Sequence, residues 1–217
     1  METDFAPRVI FEIYGVEITE TVVTTWVIML FLVILAIVGT RNLEKIPSGL
    51  QNFMELMYVG IEWLVDSTMG EKNRGFLPYM GTLTLYLLIA NLTGLVMVRP
   101  PTADLNVPVG LTIITFILVH TSGMKSKGVG GYMRGFAEPL PLLLPLNIIS
   151  ELSQPVSLAF RLFGNMIGAF IIMYLIYQFA PILIPIVPHM YFDIFAGVIQ
   201  TFIFVMLTMT YISLAME

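Results

Sequence analysis

Residues 145–177 read PLNIISELSQPVSLAFRLFGNMIGAFIIMYLIY, and a single arginine, Arg161, lies in the middle of this apolar stretch. An arginine at the centre of a membrane helix costs roughly 2.5–3.5 kcal/mol on insertion scales, and it stays protonated at physiological pH. A long side chain can reach the membrane surface only from near a helix end, yet apolar residues continue far beyond Arg161. The stretch therefore predicts a membrane helix whose arginine pairs with a carboxylate or lines a wet cavity.

The composition of the whole chain agrees with a membrane location. Of 217 residues, 57% are hydrophobic and 12% are charged, whereas about a quarter of the residues in a soluble domain are charged. With no cysteine in the sequence, disulfides, thiolate metal sites and cysteine nucleophiles are excluded. The net charge of −5 comes without a basic run, so no nucleic-acid partner is expected.

Apolar runs place the first spans. Residues 22–39 predict a transmembrane helix, and 76–98 with 107–123 predict a transmembrane hairpin. After Pro139 the chain is almost continuously apolar to Met216. That length suits either two very long helices or three to four ordinary spans, with a hinge at the prolines of residues 181–188.

A different pattern occupies residues 46–69. Its acids, Glu55, Glu62 and Asp66, recur at intervals that place them on one helical face. Pro47 suits the first turn of a helix. The pattern predicts an amphipathic helix at the membrane surface.

Basic residues indicate the orientation. If the N-terminus faces outward, the inward loops hold most of the Lys and Arg residues: Arg41, Lys45, Lys72, Arg74, Lys125, Lys127 and Arg134. The outward side then has Arg8 and Arg99. This distribution follows the positive-inside rule.

Polar residues form a stripe along the helix that carries Arg161. At about 100° per residue, one line on its surface takes in a set of small and polar side chains, with Glu151 at its edge: Gln154, Ser157, Arg161, Asn165 and Gly168. Small residues in such a stripe allow another helix to approach closely. The stripe thus predicts a contact face with a fixed positive charge.

The last segment, residues 189–216, has a complementary polar face. His189, Asp193 and Gln200 recur at helical spacing, and Thr208 and Tyr211 roughly extend the same face. A buried Asp193 must be wet, paired or protonated. No group of side chains has metal-ligand spacing, so no metal site and no cofactor are expected. In residues 76–98, Asn91, Thr82 and Thr84 are expected to hydrogen-bond between helices.

These residues closely resemble a known family. RLFGNM at 161–166, preceded by QPVSLAF, resembles the signature of subunit a of rotary F-type ATP synthases. Further segments resemble the family in the same order, over nearly the whole chain from Ile46: IPSGLQNFMEL, GFLPYMGTLTLYLLIANLTGL, PTADLNVPVGL and GVIQTFIFVMLTMTYISLA.

The resemblance implies an all-α integral membrane protein with one membrane domain, residues 1–217. Two long tilted helices, 139–178 and 182–215, would form a C-terminal hairpin. The implied role is that of a stator in the membrane Fo sector, which lies against a ring of c subunits and is held by the b-subunit peripheral stalk and the rest of the F1Fo complex. Arg161 would face the essential carboxylate of each passing c subunit, and two aqueous half-channels would carry protons or sodium.

Individual residues take roles by the same resemblance. Asn165 and Gln200 are implied as polar neighbours of Arg161, and the ion pathway is expected to include Ser157, Glu151, His189, Asp193 and Tyr211. Where many members have glutamate or histidine nine residues after the arginine, this chain has Phe170. Asp193 stands at a position often taken by histidine or an acid, so the carboxylate of this half-channel is expected on the last helix.

The implied location is a prokaryotic plasma membrane, since no Arg- and Ser-rich leader is evident. ATP hydrolysis by this chain itself is not expected. Two other functions remain open on the residues alone. An unrelated small transporter would use Arg161 as a substrate or gating charge. A structural scaffold would need Arg161 to form a salt bridge with Glu151 or Asp193.

Overall fold

Helices make up nearly all of the regular structure. The computed structural model describes residues 8–13, 15–41, 43–46, 49–96, 98–136, 141–179 and 185–217. The first five α-helices are α1, Glu20–Thr40; α2, Leu50–Met69; α3, Leu77–Leu92; α4, Asn106–Gly135; and α5, Leu144–Phe179. The last helix runs over Ile186–Met216.

The last helix has three parts. It begins with a short turn, α6, at Ile186–His189, passes through a π-helical segment at Met190–Ala196, and continues as α7, Gly197–Met216. A π-helical segment holds more residues per turn than an α-helix and often occurs at functional sites.

Five helical segments of the described residues are long and apolar enough to cross a membrane: Glu20–Thr40, Glu71–Val96, Asn106–Gly135, Pro141–Phe179 and Ile186–Met216. This finding confirms the prediction of an all-α integral membrane protein.

The observed helix ends differ in places from the predicted ranges. Pro47 and the predicted starts at residues 139 and 182 lie outside the described residues. α4 continues well beyond residue 123, because its polar end stays helical on either side of a break at Gly128, where φ is +73°.

A β-hairpin that the sequence patterns did not predict precedes α1. Its strands, β1 at Val9–Ile13 and β2 at Val16–Thr19, pair antiparallel around Gly15. The positive φ of Gly15, +81°, suits a residue without a Cβ. The backbone N–H of Glu20 donates to the carbonyl of Arg8 at 2.9 Å, which ties the hairpin to the start of α1.

α2 is fastened to the chain that follows it. Arg74 donates to both carboxylate oxygens of Asp66, at 2.9 and 2.6 Å, and lies 3.3 Å from Glu62. The hydrogen bond from Arg74 lowers the pKa of Asp66. Two of the three acids on the predicted polar face therefore pair with one base, while Ile61 and Val65 are buried.

Asn91 joins α3 to α7 in the core. Its side chain is fully buried and donates to the Gly197 carbonyl at 3.2 Å and to the Thr201 hydroxyl at 3.0 Å. Its amide oxygen accepts from Thr102 at 2.8 Å. The predicted interhelical role of Asn91 is thus confirmed.

The same prediction is wrong for Thr82 and Thr84. Their hydroxyls donate to the carbonyls of Pro78 and Met80 within α3. An intrahelical bond of this kind is available to any helical threonine, whatever lies opposite it.

Replacement of Asn91 by leucine, which is of similar size, is expected to destabilise the chain. Each buried group left without its partner costs about 1–3 kcal/mol, and a protein of this size loses about 2–4 °C in Tm per kcal/mol. Thermal unfolding of the purified complex should show the loss, while Thr82→Val should leave the Tm unchanged. An unchanged Tm for Asn91→Leu would contradict this role.

Candidate ion pathway

Arg161 lies on the outer surface of α5. Its side chain is exposed, as are Ser157 and Gly164 on the same face. A Cβ at Gly164 or at Gly168 would meet nothing within 4 Å. Among the described residues, no hydrogen bond or ion pair is made to Arg161. The charge therefore points away from its own bundle.

Asn165 and Gln200 meet beside Arg161. Asn165 Nδ2 donates to Gln200 Oε1 at 2.6 Å, which joins α5 to the last helix one turn beyond Arg161. Gln200 is 2% exposed, and its Nε2 has no partner within the described residues. A buried amide that keeps one free donor can hydrogen-bond a group that arrives from outside the chain.

One cavity, the outer cavity, lies toward the C-terminal end of α5. Its volume is about 230 Å³, and it is lined mainly by the α3–α4 connection, by α5 and by the start of the last helix. The polar side chains in its wall are Tyr174, Tyr177, His189 and Asp193. Asp193 is 5% exposed and lies in the middle of the π-helical segment.

Three of these side chains form a hydrogen-bonded chain, which we call the outer triad. Tyr177 Oη lies 2.6 Å from His189 Nε2. The other ring nitrogen, His189 Nδ1, is in close contact with Asp193 Oδ2. The predicted pathway residues His189 and Asp193 are thus brought together, with Tyr177 as a third member.

Gly94 provides room for the Asp193 carboxylate. An ideal Cβ at Gly94 would lie 2.6 Å from Asp193 Oδ1 and 2.8 Å from its carboxyl carbon. Such a separation is far below van der Waals contact, so any side chain at residue 94 displaces the carboxylate.

Gly94→Ala is expected to lower ion flux about five-fold or more, because small misplacements of reacting groups are costly. The displaced carboxylate would lose its contact with His189. Ion transport by membrane vesicles that contain the protein measures the loss. Gly81→Ala, where a Cβ meets nothing within 4 Å, is the matched control. Equal pumping by the two variants would show that the carboxylate tolerates displacement.

Phe170 lines the outer cavity and carries the guanidinium of Arg99 on its ring, at 5.3 Å from the ring centroid. A cation over an aromatic face is attracted by the ring quadrupole. The resemblance implies glutamate or histidine at this position in many other members. In this chain the position holds the apolar ring of Phe170, which lies next to the base Arg99.

A second cavity, the inner cavity, lies at the other end of α5. It has a volume of about 350 Å³ and brings together Glu151, Gln154 and Tyr211 with Lys127 and Tyr132 of α4. Gln154 Nε2 donates to Glu151 Oε2 at 3.4 Å. Pro155 lies inside α5 and has no N–H that could donate to the carbonyl of Glu151. A backbone carbonyl without its helical partner is tolerated in a membrane where it borders a cavity.

The two cavities lie toward opposite ends of the bundle. Near the outer end, Thr21 at the start of α1 donates to Asp104 in the α3–α4 connection at 2.6 Å. Near the inner end, Ser126 of α4 donates to the carbonyl of Met216 at 2.9 Å. Glu151 and Asp193 therefore belong to different ends of the molecule.

Arg161 lies between the cavities. Gln154 borders the inner cavity and Met166 borders the outer one. At a rise of 1.5 Å per residue, these two residues are about 18 Å apart along α5. The buried side chains of Leu158 and Leu162 fill the bundle side of that interval.

Of the predicted pathway residues, Glu151 and Tyr211 line the inner cavity, and His189 and Asp193 line the outer one. Asn165 and Gln200 meet beside Arg161. Ser157 lies on the exposed face of α5 and lines neither cavity. The sequence patterns missed Tyr177 and Gly94. Tyr177 could have been inferred from the hinge, since residues that flank a helical hairpin turn lie side by side. For Gly94 there was no comparable signal.

Fold and site together define a multi-pass helical membrane protein with an intramembrane cationic site. Residues 22–213 match the family model described as ATP synthase A chain, and the chain belongs to this family. It is 38% identical to a Propionigenium modestum protein named ATP synthase subunit a, sodium ion specific, over 96% of this chain and 78% of that protein.

Two further relatives carry the name ATP synthase subunit a. The Trichlorobacter lovleyi protein is 40% identical over 91% of this chain and 87% of its own length. The Moorella thermoacetica protein is 38% identical over 97% of each chain.

Proposed function

We propose that Arg161 is the coupling charge of the stator and that the two cavities are its access routes. As a family member, the chain is the stator subunit of the ATP synthase Fo sector and part of the F1Fo complex. It is a multi-pass protein of the prokaryotic plasma membrane that couples ion flow to rotation. The roles of individual residues and the identity of the individual partner subunits are what we propose.

The observation that carries the proposal is the exposure of Arg161 on a membrane helix. A permanent cation facing lipid is unfavourable by several kcal/mol, so a carboxylate from another chain is the partner that its environment favours. A ring of c subunits, each with one carboxylate in its helix, would present such a partner repeatedly. The exposed Gly164 and the half-buried Gly168 leave space for a close helix, since a Cβ at either would meet nothing within 4 Å.

The interpretation as a structural scaffold requires Arg161 to form a salt bridge within the chain. Glu151 is hydrogen-bonded to Gln154, and Asp193 is in contact with His189. Neither pairs with Arg161 within the described residues, so an internal salt bridge does not account for the arginine.

The mechanism follows from electrostatics in a low dielectric. A ring carboxylate is neutral while it faces lipid, by protonation or by binding sodium. Next to Arg161 the anionic form is favoured, because an opposite charge stabilises it strongly where water is scarce. The ion leaves through one cavity, and the next carboxylate is loaded from the other.

The membrane potential gives the cycle its direction. A proton-motive force of about 150–200 mV supplies roughly 3.5–4.6 kcal/mol per charge moved. Arg161 also opposes a direct leak, since a cation that passes it meets a like charge.

The b-subunit peripheral stalk is the second proposed partner in the membrane. Only 6% of the apolar stretch of α1 is buried within the chain. Its large exposed side chains, such as Leu30 and Ile37, offer a surface on which a partner helix in the membrane can pack.

A cysteine cross-link tests the contact with the ring. A cysteine at Gly164 is paired with one beside the ring carboxylate in the assembled complex, and oxidation is expected to join the two chains and stop ATP-driven pumping. Ala159→Cys is the matched control, since residue 159 is 3% exposed and faces the bundle. Cross-linking from residue 159 but not from 164 would place the ring elsewhere.

A further inference from the structure

We propose that a cavity between α1, α2 and α3 binds one phospholipid of the inner leaflet whose headgroup carries a primary ammonium, as that of phosphatidylethanolamine does. We call it the α2 cavity. It is lined by α2, by the last turns of α1 and by the start of α3, and its volume is about 750 Å³. The proposal adds a ligand to the chain and does not depend on the role of Arg161 or of either access cavity.

The α2 cavity lies at the inner surface of the membrane. α1 ends at Thr40 and α3 begins at Leu77, and both of these residues line the cavity. The segments that follow α1 and α2 hold Arg41, Lys45 and Arg74, which the positive-inside rule places on the inner side. The mouth of the cavity is therefore at the level of the inner headgroups.

The wall of the cavity changes from polar to apolar with depth. Its polar and charged residues are Thr40, Gln51, Glu55, Glu62 and Arg74. Farther into the membrane the wall includes Leu35, about 8 Å from Thr40 along α1, and Leu85, about 10 Å from Pro78 along α3. Charged groups at the surface with apolar groups below them follow the same order as the headgroup and acyl chains of a phospholipid.

The space between α1 and α3 is limited to one leaflet. Thr25 Oγ1 of α1 lies 3.3 Å from the hydroxyl of Tyr86, the residue of α3 that follows Leu85. A transmembrane helix from another chain could not pass between α1 and α3 through this contact. An acyl chain has to fill only the inner half of the membrane, so a lipid of that leaflet fits the cavity.

Two carboxylates of α2 give the mouth of the cavity an excess of negative charge. Glu62 lies 3.3 Å from Arg74, but this guanidinium donates to both oxygens of Asp66 at shorter distances. Glu55 accepts from the neutral amide of Gln51 at 2.8 Å. Among the described residues that line the cavity, two carboxylates thus face one guanidinium, and a cationic group on the ligand is favoured.

The headgroup that meets these charges is zwitterionic with a primary ammonium. Such an ammonium has three N–H donors, and its hydrogen bonds to carboxylates are strengthened by charge. A choline headgroup has no N–H to donate, and a glycerol headgroup has no cation. The phosphate of the lipid requires a base, and Arg41 and Lys45 are exposed just beyond the end of α1.

Photochemical labelling of the assembled complex tests the site. The complex is reconstituted in vesicles with a small amount of phosphatidylethanolamine that carries a diazirine on one acyl chain, and the labelled residues are mapped after irradiation. We expect label at Leu35 and Leu85. Excess unlabelled phosphatidylethanolamine should lower this labelling about ten-fold, as the loss of a charged hydrogen bond implies. The same excess of phosphatidylcholine or phosphatidylglycerol should leave most of the label in place.

Variants test the two parts of the site separately. Replacement of both Glu55 and Glu62 by glutamine keeps their size without the charge and should lower labelling about ten-fold. Glu71→Gln is the matched control, because Glu71 is an exposed acid just after α2 that does not line the cavity. Gly81→Phe should block labelling, since Gly81 lines the cavity and a Cβ there meets nothing within 4 Å. Bound ATPase head shows that each variant complex has assembled.

Three results would overturn the proposal. Equal competition by the three lipids would show that the headgroup is not recognised, and wild-type labelling in the double glutamine variant would show that the carboxylates do not bind it. An unlabelled wall in the wild type would mean that lipid does not enter. In that case a cysteine at Leu35 that cross-links to a helix of another subunit would identify a protein occupant.

Discussion

Replacement of Arg161 by lysine is expected to abolish ATP-driven ion pumping, by at least about 100-fold, while the ATPase head remains bound. Lysine has no planar fork for a carboxylate, and it can lose its proton when it is surrounded by lipid and protein. The charge that holds the ring carboxylate as an anion would then disappear at the moment of contact.

Dye quenching in inverted vesicles measures the pumping of the Arg161→Lys complex. Arg134→Lys is the matched control, because Arg134 is exposed near the end of α4 and lies far from Asn165 and Gln200. Arg134→Lys should pump as the wild type does. Normal pumping by Arg161→Lys would mean that a simple positive charge is enough and that the guanidinium geometry is irrelevant.

Asp193→Asn is expected to give a partial loss of pumping of about ten-fold. Asparagine is the same size as aspartate and fits beside Gly94, but its amide does not exchange protons as a carboxyl group does. Some flux should persist, because the cavity itself remains.

Asp104→Asn is a demanding control for that loss. Asp104 is also buried near the outer end, where it accepts from Thr21 and from the backbone N–H of Asn106. It does not line the outer cavity, so its variant should pump within about two-fold of the wild type. An equal loss in both variants would point to general damage near the outer end and not to a transport role for Asp193.

The membrane class and the spans could be predicted from the sequence because lipid imposes a simple rule on composition. A helix of about 20 apolar residues satisfies its own backbone in the hydrocarbon core, and α1 shows this pattern without interruption. The ends of helices that lie in water are not constrained by lipid in this way. The polar end of α4 continues as helix past residue 123 and breaks only at Gly128, which hydropathy does not reveal.

Helical spacing predicted part of the site. Residues four apart share a face, which placed Asn165 next to Arg161 and His189 next to Asp193. The pairing of Asn165 with Gln200 depends on how two distant helices pack, and the family resemblance implied only that both residues are polar neighbours of Arg161. The π-helical segment around Asp193 has no clear pattern in the sequence, and neither has the packing of the Asp193 carboxylate against Gly94.

The two separate cavities could not be derived from periodicity. Glu151 and Asp193 are 42 residues apart in the sequence, and only the packing of the bundle places them at opposite ends. The family resemblance implied a ring carboxylate as the partner of Arg161, but the exposure of this side of α5 becomes apparent only once the other helices are placed.

The central claim, two access routes that end on either side of Arg161, can be tested directly because the chain has no cysteine. Single cysteines are placed at Gln154, Leu162 and Phe170 and are exposed to a membrane-impermeant thiol reagent from one side at a time. We expect residue 154 to react only from the side of Lys125 and Lys127, residue 170 only from the opposite side, and residue 162 from neither. A cysteine at 154 or 170 that reacts from both sides would contradict the account, since it would show one continuous channel past the arginine.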